Sequence, residues 1–323
     1  MGPSRSRSRR ATRCDGNTAR GAELSFNSPP FRFIVDGESF YIHQSIISRV
    51  SDPLNALMTL DMKEKRDGEA TLLGVDATTF DSFCQWAYNG SYNPAESVVR
   101  VIEPTTPTEN GGSGLSHSRK VANALASAEA RPLSEKESKD EFFWANDFFG
   151  SFDFDGHQVN SKMSRAHMRS RFIKLRDIKS LTHMPQRNSS LDEDFTDVFL
   201  SHARLYVFAG EKLIYDLSKY VLGQLHAILA SFTLYGCRTG DIVALLKYVY
   251  ENTVRDGQDH DRGLGHECAY TARNELRNML TDYIGWQLET LMLDEEFRSL
   301  PFTMESNGPE FHEDFLHVVM RRL

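Results

Sequence analysis

Cysteine is scarce in this chain and never clustered. The four thiols, Cys14, Cys84, Cys237 and Cys268, stand far apart with no C-x-x-C pair. That spacing builds neither a disulfide framework nor a zinc ribbon, and it suits a reducing compartment. No apolar run approaches the length needed to cross a bilayer. The opening MGPSRSRSRRATR is basic but is followed by no apolar stretch, so it does not read as a signal peptide. An intracellular protein of the cytoplasm or nucleus, with no membrane partner, is the expectation. Also lacking are G-x-x-x-x-G-K-[ST], G-x-S-x-G and H-E-x-x-H, the short motifs whose spacing carries a mechanism.

The composition excludes wholesale disorder and argues against nucleic acid as partner. Of the 323 residues, 40% are hydrophobic and 25% charged, enough to bury real cores. The net charge of -8 opposes a phosphate-binding role for the chain as a whole. Positive charge concentrates in the first twenty residues and again near residues 162–187.

Local patterns divide the chain into five parts. Residues 1–28 are rich in Arg, Ser and Gly and end in Ser28-Pro29-Pro30, which reads as a disordered basic lead. Phe31, Phe33 and Val35 alternate before Asp36-Gly37, and Phe40 and Ile42 follow, the signature of a β-hairpin. From Gln44 the period becomes helical through Ile46, Ile47 and Val50. Ser51-Asp52-Pro53 then supplies an N-cap and an early Pro for a second helix carrying Leu54, Leu57 and Met58. A third strand is expected over Gly68–Val75. Asp76 or Thr78 caps a helix with Phe80, Phe83, Cys84, Ala87 and Tyr88 on one face, stopped at Asn89-Gly90.

Residues 100–190 break this pattern and read as a largely disordered insertion. Within it lie an aromatic-acidic island, Glu141 to Asp155, and a basic one from Lys162 through Arg165, Arg169, Arg171, Lys174, Arg176 and Lys179. The first is either an element packed on the core or a linear docking segment. The second either touches nucleic acid or neutralises the acidic island nearby; with Met163, Met168, Phe172, Ile173 and Leu175 interleaved, an amphipathic helix is the milder account.

Helical periodicity returns at Asp194 in four stretches. Phe195, Val198, Phe199, His202, Leu205, Tyr206 and Ala209 mark the first. Leu217, Val221, Leu225, Ile228 and Leu229 mark the second. Ile242, Leu245, Leu246, Val249 and Tyr250 mark the third, and Leu276, Leu280, Ile284, Leu288 and Leu291 the fourth. The fold class is α+β: a small three-stranded sheet capped by a cluster of helices, then an all-helical C-terminal extension.

This order, with the residues that fill it, resembles the BTB/POZ domain in its divergent fungal form. The matching text is Phe31 to Gly37, then Phe40-Tyr41-Ile42-His43 to Ser51. Met62-Lys63-Glu64, Asp76 through Phe80 to Gly90 and Tyr92, and His202 to Lys212 complete it. The resemblance covers residues 31–92 and 194–230. It implies first and closing parts of the domain at 29–99 and 191–232, with a helical extension over 233–323. Asp36, Gly37, His43, Ser51, Phe80 and Gly90 are its motif residues. The role it implies is self-association and partner docking: an adaptor linking a partner to the cullin scaffold of a ubiquitin ligase. The alternative is a nuclear transcription or chromatin regulator that oligomerises through the domain. Pro30 and Gln44 stand where many members carry an Asp and a Lys or Arg that form a charged dimer pocket.

Leu54, Leu57, Met58, Phe83, Tyr88, Tyr92 and Tyr206 are the candidates for building or bordering the interaction surface. His43 is expected to leave a strand and cap the next helix, and His202 to be a buried structural residue. His260, His266 and Cys268, beside Asp259 and Asp261, match no zinc module and sit in a Gly-rich stretch that reads as a loop. No catalytic group, cofactor, metal or small-molecule substrate is expected.

Overall fold

The computed structural model describes residues 27–61, 63–100, 163–174, 187–254, 267–305 and 307–322. Strands β1 (Pro30–Val35) and β2 (Glu38–His43) form the expected antiparallel hairpin, with Phe33 opposite Phe40. Asp36 and Gly37 both take positive φ, 50° and 81°, the two-residue turn whose twist matches that of the strands it joins. Alternation then decides the faces: Phe31, Phe33, Val35 and Ile42 are buried and Phe40 is half-buried.

The chain crosses over through α1 (Gln44–Val50), α2 (Asp52–Thr59) and α3 (Lys63–Asp67) to β3 (Glu69–Leu72). β3 lies parallel to β1 on its other side, giving the order β2-β1-β3. A parallel neighbour needs such a crossover, and three short helices provide it. The third strand is shorter than the expected Gly68–Val75. Leu73 points into solvent, and Gly74, at φ 76°, turns the chain out of the ladder toward the next cap. That cap is Asp76, whose carboxylate accepts from the Thr79 backbone N–H at 2.7 Å to open α4 (Ala77–Asn89). Gly90, left-handed at φ 75°, ends it.

The helical half follows its periodicity closely. After α5 (Arg165–Lys174) come α6 (Thr196–Glu211), α7 (Tyr215–Ser231), α8 (Thr239–Asn252) and α9 (Glu267–Leu291). Every stripe residue named above is buried except Leu288, which is half-buried. α10 (Glu295–Thr303) and α11 (Gly308–Arg322) complete the described chain. α6 packs on α7 and α8, and α9 packs on α5, α7 and α11. The described residues of 191–232 and 233–323 contribute to one apolar core.

Two features bear on the insertion. Val98–Val99 (β4) and Glu193–Asp194 (β5) pair antiparallel and close its two ends together. The basic island contributes α5, an amphipathic helix whose Met168 and Phe172 are fully buried against α9. Gly285 of α9 allows the close approach, because a Cβ there would overlap the tip of Met168. Residues 101–162 and 175–186, which include the aromatic-acidic island, lie outside the described residues. So do Met62 and the His260, His266, Asp259 and Asp261 group; Cys268 is placed in α9, its side chain undescribed. No described helix is long and apolar enough to cross a membrane.

Candidate interaction surface

The residues singled out from the sequence mostly hold the molecule together from within. Leu54, Met58, Phe83, Tyr92 and Tyr206 are buried, and Leu57 and Tyr88 are half-buried against the same core. They build the scaffold and offer little contact area to a partner. For those on helices, all but Tyr92, the physical reason is spacing: a stripe at i, i+3 and i+4 faces whatever the helix packs on, and here that is the rest of the chain.

What they do is join the two parts of the chain that flank the insertion. Phe80 and Phe83 of α4 pack their rings against Phe208 of α6, with centroids 6.0 and 5.3 Å apart. Ser51 accepts from the Leu54 backbone N–H at 3.2 Å as the N-cap of α2. The same hydroxyl donates to the Lys212 carbonyl, 2.7 Å away at the end of α6. One side chain thus serves the start of one helix and the last carbonyls of another.

The Tyr92 hydroxyl meets His202 Nδ1 at 2.5 Å, both groups buried. Burial pushes the His202 imidazole down to about 3, so the ring is neutral in the folded protein. Burial also raises the Tyr92 phenol well above its usual range. His43 occupies the N-cap position of α1, but its side chain makes no capping bond. It turns instead to Tyr88, whose hydroxyl accepts from the His43 backbone N–H at 3.1 Å and pairs with Nδ1 at 2.7 Å. The expected cap is therefore a link between β2 and α4. The reason is reach: Tyr88 lies on the last turn of α4, where its hydroxyl meets the end of the strand.

A buried charge cluster ties down the stems of the insertion. Arg238, opening α8, donates from Nε to the Leu191 carbonyl at 2.8 Å and from Nη2 to those of Asp192 and Arg100, at 2.7 and 3.3 Å. Its Nη1 lies 3.6 Å from the Asp194 carboxylate, which also receives Arg100 at 3.1 Å. Burial acts to raise the Asp194 carboxyl, but the Thr196 N–H and hydroxyl, Arg100 and Arg238 hold it below its ordinary value. Asp241 accepts from the Phe195 N–H at 2.9 Å, yet burial, with Asp194 nearby, raises it to about 6. None of this cluster was singled out from the sequence. Buried charges carry no periodicity, and the pairing of residue 238 with 100 and 191 is visible only once the chain has closed.

Three cations of the basic island that fall among the described residues are engaged within the molecule. Arg165 donates to the Trp286 carbonyl and to Gln287, Arg171 lies 3.2 Å from Asp282, and the Arg169 guanidinium sits over the Trp286 ring. Those cations serve to fix α5 on α9.

Exposed apolar side chains are scattered, with Val98, Val99 and Leu191 at the insertion stems, Val254 and Met292 at helix ends, and two further groups. On the sheet half, Tyr41 projects from the outer face of the β2 edge strand, Leu60 follows α2, and Leu73, 86% exposed, follows β3. The cross-strand row beside Tyr41 is polar, with Arg32 paired to Glu69 at 2.9 Å. On the helical half, Phe302 of α10 and Leu316 and Met320 of α11 are exposed. Among the described residues no three His, Cys, Asp or Glu side chains gather into a metal-holding group.

Neither a protein-family model nor a curated protein matches this chain.

Proposed function

We propose that the chain is a protein-binding adaptor of the BTB/POZ type. It self-associates or engages the cullin scaffold of a ubiquitin ligase through its sheet half, and it presents its helical half to a second partner. The observation that supports this reading is the closure of the two resemblance-bearing pieces, residues 31–92 and 194–230, onto one core. Phe80 and Phe83 on Phe208, Tyr92 on His202 and Ser51 on Lys212 make that closure.

The surface offered for docking is the one left uncovered around that core. Tyr41, Leu60 and Leu73 are large, apolar and solvent-facing, and they belong to β2 and to the ends of α2 and β3. Exposed aromatic and aliphatic anchors with a polar surround suit a protein partner. The self-contained pairing of Arg165 and Arg171 weighs against the nuclear alternative, since these cations already have carboxylate or amide partners.

The reading is tested with full-length protein carrying Tyr41→Asp, Leu60→Asp or Leu73→Asp. Each should keep the parent's melting temperature within a few degrees and weaken capture of a purified cullin scaffold, or of a second copy. Parent protein that is monomeric and binds no cullin scaffold would remove the adaptor role.

A further inference from the structure

Helix α11 has two apolar faces, and the core takes only one of them. Phe311, Phe315 and Val318 pack inward against Tyr250, Phe297 and α9. A second line runs His312, Leu316 and Met320 at four-residue intervals, one above the other on the helix surface. Phe302 extends it at the N-terminal end, its ring centroid 6.3 Å from that of His312. Phe302 is 83% and Met320 72% exposed. An apolar strip of this kind is costly to leave in water.

We infer that this strip is a docking site for the chain's own aromatic-acidic segment, residues 141–155. Three observations point there. The first is tethering: the Met163 N–H donates to the Arg321 carbonyl at 2.8 Å and Arg322 Nη1 donates to the Met163 carbonyl at 3.0 Å. The chain that leads back to the segment therefore departs from the Met320 end of the strip.

The second is length. Only seven residues lie between Asp155 and Met163, so the eight residue steps reach up to about 27 Å when extended. From His312 to Met320 the helix spans roughly 12 Å. A short tether holds a segment at high effective concentration, so modest contacts suffice.

The third is chemistry. The segment offers Phe142, Phe143, Trp144, Phe148 and Phe149 for the apolar strip, with Glu141 before them, Asp147 among them and Asp153 and Asp155 after them. The last turn of α11 carries an exposed Arg321, while Arg322 beside it is paired with Glu289. Acidic charge beside aromatic anchors is complementary to an apolar strip that ends in an exposed cation.

Limited chymotrypsin digestion of the full-length chain, with mass spectrometry to locate cuts, tests this. Cleavage after the aromatic residues of 141–155 should be at least about tenfold slower in the parent than in the Leu316→Asp, Met320→Asp double variant. It should also be unchanged on dilution. In parallel, replacing Phe142, Phe143, Trp144, Phe148 and Phe149 with Ser should speed amide exchange over residues 312–322 several-fold without touching the described core. Equal cleavage in parent and double variant, or exchange unchanged by the Ser replacements, would overturn the assignment. Protection that disappears on dilution would place the segment on a second copy and overturn docking within one chain.

Discussion

The hydroxyl of Ser51 donates a 2.7 Å hydrogen bond to the carbonyl of Lys212, across 161 positions of sequence. It also receives the Leu54 N–H, so it sits between the N-terminus of α2 and the C-terminus of α6. Ser51→Ala removes an N-cap and leaves a half-covered carbonyl without that donor. The expected cost is about 1–2 kcal/mol. It is read as a lower denaturation midpoint with unchanged m-value in urea. Ser51→Thr, which keeps the hydroxyl, should recover part of the loss.

The Tyr92–His202 contact makes stability fall in mild acid. The folded His202 sits at about 3, below its ordinary 6.5, because burial disfavours the cation. Its contribution is therefore fully present above 6.5 and is lost progressively as pH falls through the window from 6.5 toward 3. The full effect is on the order of several kcal/mol. His202→Gln should flatten the decline in unfolding free energy between pH 6.5 and 5, measured by urea titration, at the cost of lower stability at neutral pH.

Asp241 works in the opposite sense. Its folded value, about 6, lies above the ordinary 3.8, so the stabilising contribution is present below 3.8 and is lost as pH rises through 6. Asp241→Asn should retain an acceptor for the Phe195 N–H and remove this dependence. The slope of stability against pH between 4 and 6 should then become steeper in the destabilising-acid direction, since the loss of stability from protonating His202 is no longer opposed. A slope identical to the parent's would show that Asp241 does not titrate there.

Arg238 is the stem clamp. Arg238→Met leaves the Leu191, Asp192 and Arg100 carbonyls without their shared donor and weakens the pairing of Asp194. Loss of a buried, multiply bonded charge costs about 3–5 kcal/mol. The readout is a lower thermal midpoint, with amide exchange rising first at residues 98–100 and 191–194. Even loss across the whole chain would mean that the clamp is part of the global core and not a local fastening.

Much of the fold is legible in the sequence because it rests on period and punctuation. Asp36-Gly37 and the alternation of Phe31, Phe33 and Val35 are enough to fix the hairpin, and Gly90 is enough to end α4. Ile242 through Tyr250 mark α8 without help from any neighbour. The third strand is shorter than its apolar run suggests, because Gly74 takes the backbone out of the ladder after Leu73. The position of His43 before a helix suggests a cap, but Tyr88, 45 residues on, is the partner its ring meets.

The pairing of β4 with β5 and the Arg238 cluster were missed because both depend on contacts between distant, short segments. Two-residue strands carry no detectable pattern. The interaction surface was the least legible part. Tyr88, Tyr92 and Tyr206 are of a residue type found both at interfaces and in cores, and only the fold shows them packed on the core. Tyr41, Leu60 and Leu73 are isolated apolar residues in sequence, and only the fold shows them facing water.

The most direct measurement is capture of purified cullin scaffold by full-length protein, with light scattering of the free protein alongside and Leu60→Asp as the surface control. An adaptor gives saturable binding or a defined oligomer, either of which weakens in the folded Leu60→Asp, Tyr41→Asp or Leu73→Asp protein. A folded monomer that binds no scaffold, with all three variants indistinguishable from the parent, contradicts the adaptor reading.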